Sequence, residues 1–332
     1  MPRLILPDQT RTPDGEVRRV GVEMEMAGLE LPVMAQAVKD LFGGHIDSKS
    51  PFEIHVLETR HGTFAVELDA SLLKNHEYRP YLAQVGIDLD AMDDQRAFDA
   101  ILARLAANVV PSEVVAPPIP ITALEDMDAL RDRLRRDGAK GTRAALVYAF
   151  GAQFNVEVAD LDAAYLRDVL RAYVLLHDRL TERGVVDVSR KISPYIRAFP
   201  GGYVRLLLDE AYTPDLTGLI RDYLLHNPTR NRPLDMLPLF AHLERDMVMR
   251  APVETHLIKP RPTFHYRLPN SQIDEPDWSL AKPWNDWIMV EKLAADKDRL
   301  REHARAYLEK PGEVVGRMVD EWMEMLGTWL KR

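Results

Sequence analysis

The sequence predicts an α+β fold built on a mainly antiparallel sheet, and three observations carry that prediction. Short runs with two-residue alternation cluster at 17–27, 52–58 and 63–71, and recur at 113–116, near 145–158 and at 257–268. The tight turn Arg60-His61-Gly62 and long helical excursions join them, without the regular strand–helix–strand rhythm of a parallel sheet. The second half of the chain is mostly helical by its three-to-four-residue apolar spacing.

Each element has its own signal. In 17–27, Val20, Val22, Met24 and Met26 share one face and Glu23 and Glu25 the other, because alternate side chains of a strand point the same way at ~7 Å spacing. A helix over about 32–42 follows, then the hairpin strands 52–58 and 63–71, and a helix over about 92–108. The strand 113–116 stops at Pro117-Pro118. Thr122 with Glu125 three residues on reads as a capping box for a helix over 123–136, ended by Gly138 and Gly141. Segment 160–183 carries Leu161, Tyr165, Leu166, Val169, Leu170, Tyr173 and Leu176 at helical spacing, and 215–226 and 234–247 read as shorter helices broken by Pro228 and Pro233. Pro260 and Pro262 make the start of 257–268 irregular, so its firm part is 263–268. Two C-terminal helices follow; the apolar stripe of 313–330, which includes Trp322 and Trp329, reads as core packing or the contact of a homo-oligomer.

Composition bounds the function. Of 332 residues, 46% are hydrophobic and 29% charged, the balance of a folded globular chain, and with no cysteine it must be stabilised by packing alone. The 43 Lys and Arg against 52 Asp and Glu, a net charge of −9, argue against nucleic acid or an anionic membrane as partner. The start Met1–Pro7 lacks a long apolar stretch and no run approaches the ~20 apolar residues of a membrane span, so a cytoplasmic protein is expected. No linker, charge block or repeat divides the chain. A single domain over 1–332 is expected, with a core of about 17–270 and a helical extension over about 280–332.

The chemistry lies in strand parity. Glu23 and Glu25 share the polar face of the first strand, Glu67, Asp69 and Ser71 that of 63–71, and Gln153, Asn155 and Glu157 that of the strand near 151–158. The late strand reverses the sign, with Lys259, Arg261, Thr263, His265 and Arg267 in one parity. A sheet with one solvated face also alternates, but such a face mixes signs within a strand, whereas here carboxylates and cations are sorted to different strands. Carboxylates gathered in one cleft repel unless divalent cations stand between them, and hard oxygen donors suit Mg²⁺ or Mn²⁺. Metal bridging to phosphate, with Arg and Lys on the remaining oxygens, is the machinery of phosphoryl transfer. GxxxxGK[ST], GxGxxG, HExxH and GxSxG are all absent, so a nucleotide would have to use a sheet-based cleft.

These same residues resemble the amidoligases, carboxylate–amine ligases of the glutamine synthetase and γ-glutamylcysteine synthetase superfamily. Gly21-Val22-Glu23-Met24-Glu25 resembles the family's GVEIE strand, Glu67-Leu68-Asp69-Ala70-Ser71-Leu72 its D-x-S-L strand, and Ser112-Glu113-Val114-Val115-Ala116-Pro117-Pro118 its ElvSPP segment. The resemblance spans roughly residues 17–270. It implies a glutamine-synthetase-like twisted sheet, with helices packed on one face and a polar concave face that binds ATP and Mg²⁺ (or Mn²⁺). The γ-phosphate would pass to a substrate carboxylate, and an amine substrate would attack the acyl phosphate to form an amide. By motif position Glu23, Glu25 and Glu113 would be metal ligands and Asp69 a further acidic group near metal or amine. Arg267 would stabilise phosphate charge, and Glu113, Gln153, Asn155 and Arg261 would stand at the cofactor. Two positions depart from the family's pattern: Gln153-Phe154-Asn155 replaces a His-containing strand, and His265-Tyr266-Arg267 replaces Glu-Phe-Arg. His265 is thereby expected as a metal ligand in place of a carboxylate.

Two rivals follow from the same residues: a degenerate nucleotide-binding scaffold, motivated by Gln153 and His265, and an ATP-independent metal hydrolase using the carboxylates to activate water. Outside this face, Gly201-Gly202 after Pro200 reads as a turn whose amides could cradle an anion, and Arg230-Asn231-Arg232 as a loop able to reach an acidic substrate. His177 and His303 read as surface or satisfied core residues.

Overall fold

The computed structural model describes residues 2–50, 52–68, 111–142, 150–183 and 197–309. Asp69, the expected helix at 92–108, the first part of the strand near 145–158 and the stripe at 313–330 lie outside the described residues. The fold is mixed, with an open sheet whose strand pairs are antiparallel throughout the described residues. In chain order the elements are β1 (Arg19–Met26), α1 (Leu31–Phe42), β2 (His45–Ser50), β3 (Glu53–Thr59), β4 (Gly62–Leu68), β5 (Ser112–Val115), β6 (Ile119–Pro120) and α2 (Leu124–Asp137). Then come β7 (Ala152–Glu157), α3 (Ala163–Arg183), α4 (Gly201–Leu208), α5 (Leu216–His226), β8 (Leu234–Asp235), α6 (Leu237–Leu243), α7 (Arg245–Arg250), β9 (Thr263–Tyr266), α8 (Ala281–Ala295) and α9 (Lys297–Glu309). The sheet order is β2-β3-β4-β5-β1-β7-β9-β8, with β6 paired to the start of β1.

The alternation read in the sequence sorts the two faces. Val20, Val22, Met24, Phe64, Val66, Val114, Phe154, Val156 and Phe264 are fully buried on one face. The helices cover that face. Phe42 of α1 stacks on Phe64 at 5.3 Å, while Trp284 and Trp287 of α8 meet Phe154 at 5.9 Å and Phe264 at 5.2 Å. α8 is thus part of the sheet's core, and α3 packs along it. Arg18, just before β1, is buried in the same core. Its guanidinium makes a two-pronged ion pair with Glu291 of α8 at 2.6 and 2.9 Å and donates to the carbonyls of Gln9 and Glu157.

Several elements differ from expectation for local reasons. β2 is a polar edge strand whose His45, Asp47 and Lys49 carry no apolar alternation, so it depends on pairing with β3. Thr122 does not cap α2: residues Ile121–Ala123 form a 3₁₀ turn, and no side chain caps the helix that follows. Gly138 does end α2, at φ 109°, a left-handed conformation that glycine adopts without strain. Pro200-Gly201-Gly202 is not a free turn but the start of α4, and the single helix expected at 234–247 divides into β8, α6 and α7. His177 is not exposed, burial pulls its pKa down, and its Nδ1 has no hydrogen-bond partner among the described residues. No helix among the described residues is long and apolar enough to cross a membrane.

Candidate functional site

The site is the sheet face turned away from the helices, and strand register assembles it. Glu53 stands opposite Glu67, Glu67 opposite Glu113, and Glu113 opposite Glu25, which makes a row of four half-buried carboxylates across β3, β4, β5 and β1. Like charges directly opposite one another in a sheet are destabilising, so the row is a standing electrostatic cost. The next row runs Asp47, His55, Ala65, Val115, Glu23, Gln153, and the one beyond it Gly21, Asn155, His265, Asp235. Gly21 faces Asn155 closely, and a Cβ there would make ordinary van der Waals contact with the Asn155 Cβ at 3.4 Å and its Nδ2 at 3.5 Å.

Charge changes sign across the face. On β7 the amides take over, with Asn155 Nδ2 donating to Glu23 Oε1 at 2.7 Å and Gln153 Nε2 to Glu25 Oε1 at 2.8 Å. The Gly151 N–H donates to the other Glu25 oxygen at 2.6 Å. On the far side of β7 stand cations. Arg261 donates to Asn155 Oδ1 at 2.6 Å, and Arg267 donates to Gln153 Oε1 at 3.3 Å and to the Arg230 carbonyl at 2.6 Å. Arg230 in turn pairs with the fully buried Asp235 at 3.1 Å.

Burial and these neighbours set the protonation states. Burial would raise the Glu23 carboxyl, but His265, Arg261, the Asn155 amide and Arg267 together outweigh it and hold it below the usual carboxylate range. Burial opposes the Asp235 charge too, and the neighbouring His265, Arg230 and Arg267 outweigh it, so Asp235 is also held low. Burial pulls His265 down to about 4, against the raising effects of Asp235 and Glu23, so its ring is neutral at pH 7. With His265 neutral, Arg261, the Asn155 amide and Arg267 carry the stabilisation of the Glu23 anion.

Most of the expected site residues meet on this face. Glu23, Glu25, Glu113, Gln153, Asn155, Arg261, His265 and Arg267 occupy adjacent strands or the turns that flank them, and Asp69 lies outside the described residues. His265 does not stand as a ligand would. It is 3% exposed, with Nε2 on Gln153 Oε1 at 2.9 Å and Nδ1 between Arg230 Nη2 at 3.4 Å and Asp235 Oδ2 at 3.5 Å. Sequence reading missed Asp235 and the structural use of Arg230. No local pattern marks either, for their partners Leu257 and His265 lie 27 to 35 residues away. Glu53 was readable in principle, as a member of the same parity as Glu67's partner strand.

The donor set suits a hard divalent cation. One Glu25 oxygen accepts a hydrogen bond from the Gly151 N–H and the other from the Gln153 amide, and both are hard oxygen donors. Among the described residues no three His, Asp or Glu side chains converge tightly enough to hold a metal as they lie. Neither a curated protein nor a solved structure matches the chain. A family model described as "Putative amidoligase enzyme" matches residues 16–289, from the strand that carries Glu23 and Glu25 to the helix that backs the sheet, and the chain belongs to that amidoligase family.

Proposed function

We propose that this amidoligase-family chain is an ATP- and Mg²⁺-dependent carboxylate–amine ligase on a glutamine-synthetase-like sheet. The observation that supports this best is the sorting of one sheet face into a carboxylate half (Glu67, Glu113, Glu25, Glu23) and a guanidinium half (Arg261, Arg267) separated by amides. Glu23, Glu25 and Glu113 would hold Mg²⁺ or Mn²⁺, and Gln153, Asn155 and Arg261 would line the cofactor. ATP with its metal would supply the γ-phosphoryl group and neutralise the carboxylate row. Arg267 would stabilise phosphoryl oxygens, because burial costs its charge part of its hydration and an anion would replace that loss. The substrate carboxylate oxygen attacks the γ-phosphorus and ADP leaves. The amine nitrogen then attacks the acyl carbon, its proton is lost, and phosphate departs with the original carboxylate oxygen. The substrates on this reading are a small carboxylate and an amine of amino-acid or peptide-like type, and the protein acts in the cytoplasm.

The test is ADP and phosphate release on mixing the protein with Mg-ATP and amino-acid panels. Release is expected only when both substrates are present, and Glu23→Gln with Glu25→Gln is expected to lower it at least a hundredfold, on the order of 3 kcal/mol of transition-state stabilisation. Full-rate turnover by that double variant would overturn the assignment. Metal-dependent ATP binding by calorimetry, without turnover on any pair, would favour the scaffold reading that the departures at Gln153 and His265 motivate.

A further inference from the structure

We propose that His265 is a positioning residue that acts through Gln153 to orient Glu25, and that it does not ligate the metal; this rests on reading Glu25 as a cation-binding carboxylate. A hydrogen-bonded chain crosses the sheet from β8 to β1. Asp235 Oδ1 accepts from the Leu237 N–H at 3.0 Å while Oδ2 holds Arg230 at 3.1 Å. Arg230 is pinned a second time by the Leu257 carbonyl at 2.6 Å and presents Nη2 to His265 Nδ1 at 3.4 Å. His265 Nε2 meets Gln153 Oε1 at 2.9 Å, and Gln153 Nε2 meets Glu25 Oε1 at 2.8 Å.

Donor chemistry gives this chain a direction. A carboxylate oxygen only accepts, so the Gln153 atom that faces Glu25 is its NH₂ group. The amide oxygen therefore faces β9, where it accepts from Arg267 Nε at 3.3 Å as well as from His265. His265 Nε2 must carry the ring proton, and Nδ1 of the neutral ring accepts from Arg230. Turning the amide over would set its oxygen against the Glu25 carboxylate and its NH₂ against the Arg267 donor. Both imidazole nitrogens are thus committed at a position that is 3% exposed, and the one in-plane lone pair, on Nδ1, faces Arg230. The ring fixes the Gln153 amide, and the amide and the Gly151 N–H fix the two Glu25 oxygens. Outer-shell partners of this kind change metal affinity ~10- to 100-fold when removed.

Mn²⁺ alone, titrated into the full chain and followed by electron paramagnetic resonance, tests this. His265→Ala and Gln153→Met are each expected to weaken Mn²⁺ binding about tenfold, and the double variant no further than either single one. His265→Gln, which can still donate to the Gln153 oxygen, is expected to stay within about threefold of the parent. Thermal melts on the same samples separate loss of affinity from loss of fold. Parent-like affinity in His265→Ala, with Glu25→Gln abolishing binding, would overturn the positioning role and leave the metal assignment standing. Unchanged binding in Glu25→Gln would overturn the metal assignment and the positioning role with it. Two measurements on the unaltered protein need no variant to fold. Nitrogen couplings from an imidazole in the pulsed Mn²⁺ spectrum, or a His265 ring protonated at Nδ1 by long-range ¹H–¹⁵N correlation, would each overturn the proposal.

Discussion

Residue by residue, this protein spends its buried charge in two different ways. At Arg18, fully buried, every contact ends on a fixed partner: the Glu291 carboxylate and the Gln9 and Glu157 carbonyls. Glu291 is further tied by the Trp287 indole N–H at 2.7 Å. A saturated pair like this joins β1 to α8 and has little left to offer a ligand. Around His265 the buried groups instead lead through Gln153 to the half-buried carboxylate of Glu25. The ring is neutral in the folded chain with a pKa of about 4, against 6.5 when unfolded. Between those values the unfolded chain binds more protons than the folded one, so stability rises with pH from about 4 to 6.5 and falls as the solution is acidified through that window. The expected contribution is on the order of 3 kcal/mol, read from denaturant unfolding at pH 4.5 and 7, and His265→Gln should flatten that part of the profile. An equally steep profile in the variant would assign the dependence to other groups.

Secondary-structure elements show which local signals hold. Asp215 opens α5 with its carboxylate accepting from the Gly218 N–H at 2.7 Å, a side-chain cap of the common kind. Asp215→Ala is expected to cost about 1 kcal/mol in chemical denaturation with an unchanged m-value. The Thr122 capping box fails because a proline-led 3₁₀ turn already supplies the first turn of α2, so Thr122 sits inside the coil rather than at its mouth. β1, β4, β7 and β9 were legible by alternation because one face is fully buried and the other polar. β2 was not, since both of its faces meet solvent and only hydrogen bonding to β3 holds it extended.

At the scale of the whole molecule, α8 closes the core. Trp284 and Trp287 are fully buried against Phe154, Phe264 and Tyr266, and the helix also receives the Arg18 pair. A boundary drawn near residue 270 by sequence would have cut through this core, because the apolar spacing of 281–295 does not say which sheet the tryptophans meet. Trp287→Ala is expected to lower stability by about 3–5 kcal/mol, seen as a shift of the cooperative thermal transition with the native far-ultraviolet spectrum retained below it. A loss under about 1 kcal/mol would mean that α8 is an accessory to the sheet and not its backing.

By itself the sequence determined the strand parities, the acidic character of the early strands, the basic character of the last one, and the family motifs, because alternation and residue type are local properties. Tertiary structure alone decided the register that lines up Glu53, Glu67, Glu113 and Glu25 in one row. It also decided the partners of His265. Gln153 and His265 lie 112 residues apart and Asp235 comes from a strand of two residues, so only the pairing of β8, β9 and β7 brings a buried carboxylate, an imidazole and an amide into one chain. A histidine read in isolation is a metal ligand by its chemistry. Packed with both nitrogens committed, it becomes a support for the carboxylate beside it, because a lone pair already holding a hydrogen bond in a buried site is costly to withdraw.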